Sequence, residues 1–307
     1  MLQDKPYFTL NVDMADCVYE LIFNGVYIYS ELNSLPLRTE FPVNHWITRG
    51  ANTVVLNIYQ DKEEPLADDA RCDVTFCVRH SGAAVTARQV ISRLRFTQQQ
   101  EQAGIGCAGS TEAGRYQSSR ELRPDAQGDV QVAQVQRQPL PYEAMRGIGL
   151  LQEVSFVSAL PQWKYLQAQT LPALAALSPG ELEYWHQDLY SQYAVVQSAL
   201  LKKDIDRLMR MCAHRNAEMD AAYYLPPGTR AAQLRAALTD AAYSNEQELV
   251  SLMPDFVGIE TMPNRKLVRM TRASGAPAIA FNYRREDISR AFEFIFGKQN
   301  DQWIVCR

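Results

Sequence analysis

FPVNHWITRGANTVVLNIY, residues 41–59, is the stretch on which the reading of the fold turns. A polar hinge, Thr48-Arg49-Gly50-Ala51-Asn52, delivers the chain into TVVLNIY. There Val54, Leu56 and Ile58 alternate, which is the pattern of a strand with one buried face. Gly and Asn are the residue types that let a chain turn sharply before a strand. The stretch therefore reads as scaffold, and within it only Trp46 keeps a claim on binding.

Working outward, residues 1–97 read as β. In CVYELIFNGVYIYSE (17–31) two strands flank Asn24-Gly25, a hairpin signal because both turn positions require positive φ. TVVLNIYQ (53–60) and CDVTFCVRH (72–80) are further strands, rich in β-branched residues. ARQVISRLRFT (87–97) fits a strand or a short helix. From residue 98 to 150 Gln, Gly, Ser and charge dominate, so this segment reads as a linker or long loop, with DVQVAQVQ (129–136) as one edge strand. The expected organisation is a β-sandwich over 1–97, the polar segment 98–150, and an α+β domain over 151–307.

In the last region, Ser178, Pro179 and Glu181 form a capping box with proline where its missing N–H costs nothing. Leu182, Trp185, Leu189, Tyr193, Val196 and Leu200 follow as one helical stripe. Asp204 starts a second helix, and residues 230–253 continue as helix after Pro226-Pro227-Gly228. Beyond Pro254 the pattern returns to strands: KLVRMTR (266–272), APAIAFNYR (276–284), and a closing hairpin RAFEFIFGKQNDQWIVCR (290–307). The fold class is α+β: an N-terminal antiparallel β-sandwich, then helices packed on an antiparallel curved sheet.

Composition narrows the partners. A chain of 307 residues, 47% hydrophobic and 21% charged, can build two cores. A net charge of −4 gives no electrostatic case for nucleic acid or an anionic membrane. No window approaches the ~18 apolar residues of a spanning helix, and the opening MLQDKPYFTL is not a signal peptide. The excess of Arg over Lys reads as the codon bias of a GC-rich genome. The expected source is bacterial, and the expected compartment cytoplasm or periplasm. The six cysteines are scattered without CxxC or zinc spacing, and read as separate core thiols. Cys72 and Cys77, five apart in one strand, lie on opposite faces.

Few motifs carry chemistry. Residues 104–109 spell GxGxxG, but neither a strand precedes nor a helix follows, so no dinucleotide cofactor is expected. Glu63, Glu64, Asp68 and Asp69 read as a solvated loop, and no metal site is expected. The four histidines form no HExxH or HxH pair. Candidate binding residues are the aromatics Trp46, Tyr27, Tyr29 and Trp185, with His186 beside the last. A cationic face built from Arg265, Lys266, Arg269, Arg272, Arg284 and Arg285 would suit an acidic partner.

Two resemblances follow from these motifs. The order ELIFNGVYIY…FPVNHWITRGANTVVLNIY resembles the galactose-binding-like β-sandwich of large glycoside hydrolases, through Asn24, Gly25, Asn44, Ile47, Gly50, Asn52 and Val54. The resemblance implies a sandwich and, faintly, sugar binding. VVQSALLKKDIDRLMRMCA (195–213) followed by strands ending FEFIFGKQNDQWIV is similar to the nuclear transport factor two-like cone fold, with Lys203-Asp204-Ile205-Asp206-Arg207-Leu208 and Trp303 as the matching positions. Enzymes of that family carry an Asp/His or Tyr/Asp set inside the cone, and no such set is matched here.

The expectation is a non-enzymatic protein that binds another protein, effector-neutralising (immunity-like) or an envelope or secretion accessory factor. The alternatives are an isomerase or hydrolase using His186, Asp188, His214 or Tyr283, and carbohydrate binding by an exposed platform that includes Trp46.

Overall fold

The computed structural model describes residues 5–60, 66–98, 109–110, 130–142, 145–158, 160–285 and 288–307. Glu63, Glu64, Cys107 and all but the last glycine of the GxGxxG run lie outside them, as does most of the polar segment. The fold is α+β, and the chain divides into two compact units, Met1–Gln162 and Trp163–Arg307.

The first unit is built from β1 (Pro6–Ala15), β2 (Val18–Phe23), β3 (Val26–Glu31), β4 (Leu37–Pro42), β5 (Gly50–Gln60), β6 (Arg71–His80), β7 (Gln89–Thr97), β8 (Gly109–Ser110), β9 (Gln131–Val132), β10 (Gln136–Gln138) and β11 (Arg146–Phe156). One antiparallel sheet has the order β4-β1-β6-β7-β8; the other runs β10-β11-β5-β2-β3, with β9 also on β11. Their inner faces meet through Phe8 against Phe156 (5.2 Å between centroids) and Phe23 against Phe76 (5.4 Å). Burying such rings is the main stabilising term of a two-layer β fold. Residues 87–97, ambiguous in sequence, supply strand β7.

Strand β11 crosses the expected boundary at residue 150. It pairs with β5 over eleven positions, from Arg146↔Gln60 to Phe156↔Gly50, so these residues belong to the first unit. Its glycines hid it. A Cβ on Gly147 would fall 2.0 Å from the Ile58 carbonyl oxygen, and its φ of +144° suits glycine alone.

The quoted stretch is a set of side-chain staples. Asn24 and Gly25 turn the β2–β3 hairpin at φ of 50° and 69°. Asn24 Nδ2 donates to the Trp46 carbonyl (2.7 Å) and to Asn52 Oδ1 (2.8 Å), and its Oδ1 accepts from Thr53 N–H (2.7 Å). Buried Asn52 also accepts from Thr48 N–H (2.9 Å) and donates to Gly50 O (3.0 Å). Asn44 accepts from Phe8 N–H (2.6 Å) and donates to Pro6 O (2.8 Å), fixing the segment to β1. Each amide, buried at Asn44 and Asn52 and half-buried at Asn24, replaces water at the backbone groups it bonds.

The second unit holds α1 (Pro179–Leu201), α2 (Ile205–Met211), α3 (Ala213–Ala222) and α4 (Thr229–Tyr243), then β12 (Gln247–Leu249), β13 (Val257–Thr261), β14 (Val268–Arg272), β15 (Ile279–Tyr283), β16 (Ser289–Phe292), β17 (Phe296–Gln299) and β18 (Gln302–Val305). The strands form two antiparallel sheets, β12-β15-β16 and β13-β14-β17-β18. The expected helix over 230–253 ends at Tyr243; Ser244 is extended and β12 pairs with β15. Residues 290–307 likewise serve both sheets, with β16 on β15 and β17 on β18.

Helix α1 starts at the expected capping box: Ser178 N–H donates to Glu181 Oε2 (2.9 Å), and Glu181 N–H to Ser178 Oγ. Leu189, Tyr193, Val196 and Leu200 pack against Val268, Met270, Phe281, Phe294 and Phe296, so the space under the helix is core. Asp204 caps α2 by accepting from Arg207 N–H (3.0 Å).

Candidate functional site

The site grows from the way α1 meets the edge of β13. Along one flank of the helix, His186 Nε2 lies 2.8 Å from the Val257 carbonyl oxygen. Tyr190 Oη donates to Leu252 O (3.1 Å) and Gln197 Nε2 to Val250 O (3.2 Å). The His186 and Tyr190 rings stack at 6.2 Å between centroids. These side chains, at helical spacing, hold the segment that enters β13.

Among the described residues β13 pairs with β14 alone. The hairpin closes with Met262 N–H donating to Leu267 O (2.8 Å), directly opposite each other in the Val257↔Arg272 to Thr261↔Val268 register. Because bonded pairs alternate in an antiparallel ladder, Gly258 and Glu260 bond β14, whereas Val257, Ile259 and Thr261 turn their backbone groups to the outer edge. Met270, opposite Ile259, agrees: its N–H goes to Tyr193 Oη (3.0 Å) and its carbonyl to Ala278 N–H (3.2 Å), both away from β13. On the outer edge His186 covers the Val257 carbonyl, and Val257 N–H bonds Pro254 O. The outward backbone groups of Ile259 and Thr261 have no hydrogen-bond partner among the described residues.

This edge borders a groove of about 540 Å³ lined by Leu174, Pro179, Leu182, Glu183, His186 and Ile259. Next to it, Thr261, Pro172, Trp185 and Trp303 line a nearly filled apolar space of about 10 Å³. Leu182 is 40% exposed at the groove's rim, and Phe256, just before β13, is 63% exposed. The two tryptophans beside it are held by one shared set of contacts. Trp185 and Trp303 meet edge to face (6.0 Å), Lys298 Nζ lies 4.8 Å from one ring centroid and 5.2 Å from the other, and Asp188 Oδ2 takes Lys298 (2.9 Å) and Trp303 Nε1–H (3.0 Å).

Of the residues singled out in the sequence, Trp185 and His186 reach this site. Trp46 is 6% exposed, so the platform expected around it is not formed. Tyr29 packs on Tyr19 and Phe41 and donates to Glu31 (3.3 Å), and Tyr27 lies half-buried on the same strand. Burial, then Glu31, push the Tyr29 phenol upward.

The cationic face is not assembled either. Arg265 donates to Leu171 O, Lys266 to Leu166 O and Ala168 O, and Arg272 to Ala278 O. Arg269 is bound by Glu260 (2.8 Å) and Glu293; burial opposes its charge, but the two carboxylates outweigh this and raise its pKa. Arg265, Arg284 and Arg285 stand exposed, whereas Lys266, Arg269 and Arg272 are half-buried. Backbone carbonyls take Lys266 and Arg272, and carboxylates take Arg269, which sequence clustering could not indicate.

The catalytic alternatives do not converge. His186 lines the groove, Asp188 serves Lys298 and Trp303, His214 pairs with Glu218 (3.3 Å), and Tyr283 lies on β15 opposite Gln247. Among the described residues no three His, Cys, Asp or Glu side chains gather as a metal site, and no helix is long and apolar enough to cross a membrane. Sequence reasoning missed the β13 edge, whose only signal was the short alternation VGIET (257–261). Compared with known proteins, the chain matches no protein-family model and no curated protein.

Proposed function

We propose that this is a non-enzymatic binding protein that takes an extended, apolar segment of another protein along the outer edge of β13. The observation that carries the reading is the pair of outward, unpartnered backbone positions, Ile259 and Thr261, of which Ile259 borders an apolar groove. An extended peptide supplies N–H and C=O groups at strand spacing, and the groove walls take its alternate side chains. β13 has five residues, which suits a guest of four or five. Trp185, held by Trp303 and Lys298, backs the Thr261 end of the strand with packed aromatic rings.

Such binding suits an accessory factor that captures or neutralises a partner presenting an extended segment. Catalysis in the second unit is less well supported, because His186 is the single candidate that lines the groove. Sugar binding by the first unit is less well supported because Trp46 is buried.

Panning a random heptapeptide library on the purified chain, with counter-selection on Leu182→Arg, tests the reading. Enriched apolar peptides that bind the wild type and lose at least tenfold in affinity on Leu182→Arg support it. Recovery of no peptide dependent on Leu182 overturns it. A dimer in sedimentation that is abolished by Thr261→Pro would overturn it in favour of a second copy on the same edge.

A further inference from the structure

A second feature lies in the first unit and is independent of the groove. Cys17 and Cys72 are 55 residues apart in sequence, yet their sulfurs stand 3.1 Å apart. Cys72 sits near the start of β6 opposite Met14 of β1, and Cys17 follows β1 after Asp16, a residue at φ of 57°. The turn thus folds the Cys17 thiol back over the strand pair that holds Cys72. Both side chains are buried, at 1% and 0% exposure. Cys77, Cys212 and Cys306 are also buried free thiols.

From this geometry we infer that Cys17 and Cys72 are a redox pair that closes to a disulfide, pinning the β1–β2 corner to β6. A disulfide needs an S–S distance of about 2.05 Å, so the sulfurs must approach by roughly 1 Å. Cys17 lies between β1 and β2, outside both strands, and is the side chain placed to supply that movement.

The oxidant is a small disulfide such as oxidised glutathione. The Cys17 thiol loses its proton, its sulfur attacks one glutathione sulfur, and the other glutathione leaves as a thiolate. Cys72, deprotonated in turn, attacks the Cys17 sulfur of the mixed disulfide and displaces the second glutathione. One protein disulfide and two glutathione thiols result, so electrons and protons balance. Burial, followed by the contact with Cys17, holds the Cys72 thiol well above its ordinary pKa. Closure is therefore slow in the native chain and fast during refolding, when the thiols meet water.

The test uses the full chain, reduced and then equilibrated with oxidised glutathione, both native and during refolding, followed by acid quench, denaturation, alkylation and peptide mapping. The expected product is a Cys17–Cys72 linked peptide, forming faster on refolding. The linked protein should melt about 5–10 °C higher, since closing a long loop constrains the unfolded chain. Cys77→Ser should leave the link intact and Cys17→Ser should remove it. Complete alkylation of both residues in the native and refolded samples would overturn the inference. So would glutathione retained on Cys17, or a link to any other cysteine. Because the map is read on the wild type, a variant that fails to fold does not obscure the result.

Discussion

The His186 ring donates from Nε2 to the carbonyl oxygen of Val257 across 2.8 Å, and this bond marks where the covered part of the β13 edge ends. A carbonyl can only accept, so Nε2 carries the proton. One helical turn further, Tyr190 makes the matching bond to Leu252 O. His186→Ala removes one tether, with an expected cost of about 1 kcal/mol in urea unfolding. Amide exchange should rise over 252–257 and stay unchanged in α3. Uniform loss of protection would contradict the tether.

Tyr193 ties β14 to the link between β16 and β17 with one hydroxyl, which accepts from Met270 N–H (3.0 Å) and donates to Phe294 O. Burial first, only partly offset by the Met270 N–H, pushes this phenol far above its usual range. Tyr193→Phe leaves two buried backbone groups unpaired and should cost about 2–4 kcal/mol. Denaturant midpoints measure it, and a change below the error of the titration would show that water replaces the hydroxyl.

Gln152 makes the opposite case. Its side chain is wholly buried on β11, opposite Val54, and neither amide atom has a partner among the described residues. Gln152→Met keeps the length and removes the unpaired polar atoms, so it should stabilise the chain by about 1 kcal/mol or more. Destabilisation would mean that the amide is bonded in solution.

Asp73 lies between two arginines, with Arg93 Nε and Arg95 Nε at 2.8 and 2.9 Å from its oxygens. Burial alone would raise its carboxyl pKa; hydrogen bonds and charge from Arg93 and Arg95 outweigh that and lower it. A folded-state pKa below the unfolded one contributes stability above the ordinary carboxylate range, and that contribution is lost as pH falls through the folded value. Because both arginines are 42% exposed, Asp73→Asn should cost only about 1 kcal/mol at pH 7. The gap from wild type should close below about pH 4. A gap independent of pH would refute the ion-pair account.

Local chemistry was legible in the sequence. Asn24-Gly25, the Ser178 capping box and the Asp204 cap each depend on residues within a few positions, and each stands where its residue types place it. What depended on distant neighbours was not. β11 could not be read through Gly147 and Gly149, whose missing side chains matter only because Ile58 and Gln138 approach them. The basic cluster dissolved once loop carbonyls were present to take Arg265 and Lys266. In the candidate site, Trp185 and His186 were visible as an aromatic pair, while Leu182 read as one more residue of a core stripe. It lies instead at the groove's rim, 40% exposed. The outward face of Ile259 and Thr261 is a property of register, which emerges only when β14 is in place.

The most direct measurement is residue-resolved amide exchange of the full chain with and without a selected heptapeptide. The Ile259 and Thr261 amides should slow at least tenfold on saturation, while Gly258 and Glu260, already bonded to β14, should change little. Thr261→Pro, which removes an outward donor and no bond to β14, should weaken the peptide without lowering stability by more than about 1 kcal/mol. Peptide binding that leaves Ile259 and Thr261 exchanging at their original rates would contradict the account.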